Sequence, residues 1–243
     1  MTGSVRWVRY GAEALEALRD AVADRKRDDP MAPVTVLVPN NIAGIVARRS
    51  LAQGLGPGRR GVAGIRFTSL RRLAEEIAAP ALVAQGRRPA TGALSAAAVR
   101  ACLDVDPGGF ARVANLPATA RALARSHRTL RDLDADALDS VAGASALARD
   151  VVRLHRVTEA RLDDDYYDTT DLLQAAAHRL QAGNVATDEF GALVLYLPQD
   201  LDRAETALLR ALAGAGDEPA VIAALTGSDR ADRAILDAVA AAA

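Results

Sequence analysis

The chain has 243 residues, half of them hydrophobic but only 3% aromatic, and its 30 Lys and Arg against 31 Asp and Glu give a formal net charge of −1. That length suits one domain, or one domain carrying a sizeable insertion, and the neutral balance excludes a global field that would draw the chain onto nucleic acid or an anionic membrane, so any DNA contact has to come from a local patch. Cys102 is the only cysteine, which excludes an internal disulfide and a cysteine zinc cluster; no apolar run reaches the ~18 residues of a membrane span, and with no signal-peptide h-region at the N-terminus the expected compartment is the cytoplasm.

The first third reads as alternating strands and helices. Val5 to Tyr10 is a short candidate strand, followed by a helical pattern from Ala12 to Arg27 that Asp28, Asp29 and Pro30 close. Val34 to Val38 is apolar on both faces, as a central parallel strand should be. Pro39-Asn40-Asn41 is a turn opening a helix from Ile42 to about Gln53, and Gly54 to Gly61 is a glycine-rich loop. Val62 to Phe67 is a third strand, after which Thr68 or Ser69 caps a helix over Leu70 to Ala78.

From about Pro80 to Ala182 strand signals stop, and the segment reads as helices broken by Pro89, Asp106-Pro107-Gly108-Gly109, Pro117 and Gly143. Strands return at Ala192 to Leu197 and Pro219 to Leu225, with helices at Leu201 to Leu212 and Ser228 to Ala242. Alternating elements imply an α/β fold, a parallel sheet with helices on both faces. The helical block interrupting it implies an inserted subdomain, because a structureless loop of that length is implausible. The expected division is an α/β domain over 1–79 and 186–243 with an all-helical insertion over 80–185.

A parallel sheet binds ligands at the carboxyl ends of its strands. The first such turn, Tyr10-Gly11-Ala12-Glu13-Ala14, has one glycine, no lysine and no hydroxyl, whereas a phosphate-binding loop needs several glycines, a lysine and a Ser or Thr. Lys26 is the only lysine, and no glycine loop precedes it, so such a loop is excluded throughout the chain. The turn also lacks a dinucleotide fingerprint. His127, His155 and His178 lie in separate helical stretches, none at i, i+4 spacing, and read as core or surface histidines. The run Asp163-Asp164-Asp165-Tyr166-Tyr167-Asp168 lacks the glycine and closing glutamate of a calcium loop and reads as a solvated turn capping the next helix. No metal or cofactor is expected.

Arg121, Arg125, Arg128 and Arg131 are spaced 4, 3 and 3, which places them on one helix face where they could track a phosphate backbone. The plainer reading is a solvated face paired in part with Asp132, Asp134 and Asp136. The pairs Arg48/Arg49 and Arg71/Arg72, on helices that follow strands, carry the same ambiguity.

The order of these segments resembles the N-terminal helicase-like domain of AddB-like and RecB-family exonucleases, which are related to UvrD-type superfamily 1 helicases. Val34 to Leu51 is similar to that family's "VLVPs" strand and arginine-bearing helix. Ile65 to Leu70 resembles its "v-TF-sL" segment, and Asp165-Tyr166-Tyr167-Asp168 with Asp171-Leu172-Leu173 its "DYxDLL" stretch. Leu193 to Leu209 resembles the "vDExQDxxxxQxxLL" strand and helix. The resemblance covers nearly the whole chain and implies a RecA-like sheet carrying an inserted helical subdomain. Aligned on Gln199 and Asp200, the family's magnesium-binding aspartate and water-polarising glutamate fall on Tyr196 and Leu197, which can do neither. With Gly11 alone in the phosphate turn, both halves of the ATP site are degenerate. No lysine follows Lys26, so the family's Glu-x-Lys nuclease site lies outside this chain.

The resemblance therefore implies a non-catalytic scaffold that guides DNA within a repair and recombination nuclease. Its implied partners are DNA, single-stranded or a duplex end, and a helicase/nuclease subunit or a following nuclease domain. Candidate DNA contacts are Arg48, Arg49, Thr68, Ser69 and the stripe Arg121, Arg125, Arg128, Arg131. Two other readings stand beside it: a protein–protein module without DNA contact, and a Rossmann-like nucleotide-binding enzyme.

Overall fold

A computed structural model describes residues 5–55, 61–216 and 218–242; most of the loop expected over Gly54 to Gly61 lies outside them. In chain order the elements are β1 (Val5–Trp7), α1 (Ala12–Arg25), β2 (Val34–Leu37), α2 (Asn41–Leu51), β3 (Ile65–Thr68), α3 (Leu70–Ala84), β4 (Arg88–Pro89), α4 (Gly92–Val105), α5 (Pro117–Leu130), α6 (Ala135–Ala144), α7 (Ala146–Leu162), β5 (Tyr166–Tyr167), α8 (Thr169–Gln181), β6 (Ala192–Tyr196), α9 (Arg203–Ala215), β7 (Ala220–Ala223) and α10 (Asp229–Ala242). The chain is α/β. It forms two compact units, one from residues 1–78 and 173–243 and the other from Ala79–Leu172; the second boundary falls earlier than the 185 expected.

The first unit holds a five-stranded parallel sheet in the order β1-β7-β6-β2-β3. All four residues of β2 are buried, as its continuous apolar run dictates for a strand flanked on both sides. The core joins β2 and β6 to α1 and α2 through Val34, Val36, Val194, Leu18, Ala47 and Leu51. The connections β2 to β3 and β6 to β7 step in opposite directions, so the crevice between β6 and β2, at the strands' carboxyl ends, is the topological switch point.

Lys26, the only lysine, caps the carboxyl end of α1 and is 1% exposed. Its ammonium donates to the carbonyls of Pro30 and Ala32, and burial pulls its pKa below the ordinary lysine value. This side chain ties down the loop into β2.

Several elements depart from the sequence reading. The first strand ends at Trp7, not Tyr10, because the chain turns at Gly11 with φ +95°. β3 starts three residues later than expected, after Gly64 takes φ +65° with its Cα packed on the Met31 and Ala32 carbonyls. α3 continues through Pro80 rather than stopping at Ala78. One i→i−4 bond is missing there, while Ile77 and Leu82 remain buried on either side of it.

The second unit packs α4 against α5 and α7 through Val99, Leu103, Leu123, Ala124 and Leu154, with a smaller core of Leu130, Leu138 and Val152 beside α6. The expectation that strands are missing here is corrected by β4 and β5, a two-residue parallel pair with Arg88 opposite Tyr166. Arg87 anchors this pair by donating to the Tyr166 carbonyl at 2.6 Å. Among the described residues, no helix is long and apolar enough to cross a membrane.

Candidate nucleic-acid interface

At the turn after β1, Gly11 is the N-cap of α1 and gives it no side-chain cap. The first turn of the helix instead carries Glu13, paired at 2.9 Å with Arg9, whose hydrogen bond holds the Glu13 carboxyl below its ordinary pKa. A helix N-terminus attracts a phosphate through its free N–H groups and dipole; a carboxylate already placed there opposes one.

The carboxyl end of β6 holds the other residues that the resemblance singles out. Tyr196 is buried, and burial raises its phenol pKa further above neutrality. Leu197 adopts φ +51°, a left-handed conformation that no other described non-glycine residue shares, and its N–H donates to the Ile222 carbonyl at 2.8 Å. Gln199 and Asp200 line a crevice of about 100 Å³ together with Pro39 and Ser69. Asp202 then opens α9 with a reciprocal capping box to Glu205. Neither Tyr196 nor Leu197 offers an oxygen that could hold magnesium or take a proton at neutral pH.

Beside this crevice lies a larger groove, about 490 Å³, at the carboxyl ends of β2 and β3. Its lining includes Asn40, Arg48, Phe67, Thr68, Ser69 and Arg72. The Asn40 side chain accepts from the Ala43 N–H at 2.9 Å and starts α2, while Ser69 Oγ accepts a long 3.4 Å bond from the Arg72 N–H at the start of α3. The Arg48 guanidinium lies over the Phe67 ring, 5.5 Å from its centroid. Arg71 is paired with Glu75, but among the described residues neither Arg48 nor Arg72 has a carboxylate partner. The groove thus brings together cations, a partly exposed ring, hydroxyls and two helix N-termini. Arg48, Thr68 and Ser69 of the sequence candidates lie in it. Arg49 is exposed on α2 but outside the lining.

The arginine stripe in the second unit is shorter than its spacing suggests. Arg121, Arg125 and Arg128 are exposed on α5, with no ion-pair partner among the described residues. Arg131 departs from that face: it is 11% exposed and pairs with Glu159, Asp168 and Asp171. Three carboxylates around one guanidinium, just past the end of α5, draw the side chain inward. Asp168 and Asp171 also cap each other's N–H groups at the start of α8, at 3.0 and 2.9 Å, so the end of the acidic run is a helix cap as its composition suggests.

One constellation is absent from the sequence reading. His127 on α5 and His155 on α7 meet in the interior with their Nδ1 atoms 2.9 Å apart. His127 shares the buried phase of Ala120, Leu123, Ala124 and Leu130, and this periodicity is the only sequence signal for it. Burial, together with the neighbouring His127 and Arg131, lowers the His155 pKa to about 4. No group of three or more His, Cys, Asp or Glu among the described residues is arranged to hold a metal ion.

No family model matches the chain, and no curated protein matches it either.

Proposed function

We propose that this chain is a helicase-like, non-hydrolysing domain of an AddB-like or RecB-family repair nuclease, which guides a single strand of DNA and holds a partner protein. The groove at the ends of β2 and β3 is the observation that carries this reading. Single strands are held by cations along the phosphates and by aromatic faces under the bases, and Arg48, Arg72 and Phe67 supply both within one groove. The all-parallel sheet supports the RecA-like assignment. Tyr196 and Leu197 at the end of β6, with Glu13 at the start of α1, support the loss of ATP hydrolysis. The separate compact unit over Ala79–Leu172 supports the reading of an inserted helical subdomain.

The test is fluorescence anisotropy with a labelled oligo-dT across a salt series. Affinity should fall with salt, and Arg48→Ala with Arg72→Ala should flatten the log–log slope by about 1.4, at ~0.7 for each phosphate left without its cation. Phe67→Leu, which retains apolar packing, should weaken binding by about 1–3 kcal/mol through the loss of base stacking. Binding indifferent to all three substitutions would remove the groove from the reading.

A further inference from the structure

Among the described residues, the outer face of α2 carries three exposed aliphatic side chains. Gly44, Ala47 and Leu51 form its inner face, and the helix sits so close to the sheet that a Cβ on Gly44 would come 3.3 Å from Val38 Cγ2. On the opposite side Ile42 is 74% exposed, and Ile45 and Val46 are each 48% exposed. Scattered exposed aliphatics are ordinary on a soluble protein. Here three β-branched residues occupy one helix at i, i+3 and i+4, and Arg49 extends the stripe at i+7. Being stiff at χ1, they lose little side-chain freedom on being covered.

Charge determines what fits. Asn41–Leu51 contains no carboxylate, and its cationic end carries Arg48 and Arg49. Arg48 lies over Phe67 in the groove, which leaves Arg49 as the cation of the outer stripe. Ile45 also lines the groove at the ends of β2 and β3, whereas Ile42 and Val46 lie outside it, and a phosphate backbone has no use for those two side chains. An apolar ridge of two turns that ends in Arg49, a cation with no ion-pair partner among the described residues, complements a second helix, apolar at matching intervals with a carboxylate set against Arg49. We infer that this face docks an acidic amphipathic helix of a partner protein, a proposal resting on the partner-holding half of the function above.

The experiment uses the full chain and two fluorescent helical peptides of about four turns, identical in their leucine stripe, with glutamate flanking that stripe in one and lysine in the other. The glutamate peptide should bind at least about tenfold more tightly. Ile42→Ser with Val46→Ser should abolish that binding, and Arg49→Glu should transfer the preference to the lysine peptide. Equal affinity for both peptides, no binding of either, or binding that survives the serine substitutions would overturn the inference. So would concentration-dependent self-association of the wild-type chain that the serine substitutions abolish, since a second copy would then be the occupant. Oligo-dT affinity measured on the same variants separates the two readings: the serine pair should leave it unchanged, whereas Arg48→Ala with Arg72→Ala should reduce it and spare the peptide.

Discussion

The Nδ1 atoms of His127 and His155 lie 2.9 Å apart between α5 and α7, a spacing that requires one ring to donate and the other to accept. If His127 donates, the Nε2–H of His155 faces Glu159, whose nearer carboxylate oxygen is 3.7 Å away. Both rings are buried, and Arg131 beside them disfavours a further positive charge.

That arrangement sets a pH dependence. His155 takes up a proton near pH 4 in the folded chain and near ~6.5 when unfolded. Below ~6.5 the unfolded chain therefore binds more protons, so stability is full above that pH and falls as pH drops toward 4. Two to three pH units correspond to about 3 kcal/mol, as an order of magnitude. Urea midpoints taken between pH 7 and 4.5 should fall, and His155→Gln should flatten the profile relative to the wild type. A wild-type profile parallel to that of the variant would show that the pair is not responsible.

The four arginines at 121, 125, 128 and 131 are equivalent by spacing and different by environment. Arg131→Leu leaves Glu159, Asp168 and Asp171 without their cation and should cost about 3 kcal/mol in a urea titration. Arg125→Ala with Arg128→Ala should leave stability within about 0.5 kcal/mol. Should the stripe contact phosphates, the same pair should flatten the salt slope for a DNA duplex by ~2. A large stability loss from the exposed pair would contradict the exposure of both side chains.

The uneven legibility of the sequence follows from which forces are local. Val34–Leu37 announces itself as a central strand because burial on both faces leaves a continuous apolar run. Asn40, Asp134 and Asp202 cap helices because a short side chain reaches the N–H three residues on. Spacing alone puts Arg131 on the wrong face, because the carboxylates that capture it lie 28 to 40 residues away in sequence. Pro80 reads as a stop because local propensity disfavours it, whereas tertiary burial of Ile77 and Leu82 carries the helix through. In the groove, Arg48, Thr68 and Ser69 are legible from strand-to-helix turns. The position of Phe67 under Arg48 is not, since it depends on the pairing of β2 with β3.

Gly191 precedes β6 at φ +58°, and a Cβ there would lie 2.0 Å from the Pro33 carbonyl oxygen, which accepts the Ala192 N–H. Gly191→Ala must therefore displace the start of the β2–β6 ladder and should destabilise by at least about 2 kcal/mol. Gly214→Ala, in α9 with open space around it, should instead stabilise by about 0.5–1 kcal/mol. Thermal denaturation of the two variants would show shifts of opposite sign.

Placing a carboxylate at the end of β6 tests the proposed loss of ATP chemistry. Leu197→Glu supplies the group that polarises water in the helicases the sequence resembles, at a residue whose side chain is only partly buried. It does not supply the rest of the site. The N-terminus of α1 still presents one glycine and the Arg9-paired Glu13, and Lys26 remains held on backbone carbonyls. The nucleotide would have no lysine for its β- and γ-phosphates, and the cation at that turn, Arg9, is already paired with Glu13. Phosphate release should stay at background in both the wild type and Leu197→Glu. Millimolar MgATP should raise the melting temperature of neither, since weak binding at Kd near the ligand concentration contributes less than about 0.5 kcal/mol. Turnover in the variant alone would mean that the phosphate half of the site is intact and that the degeneracy is confined to β6.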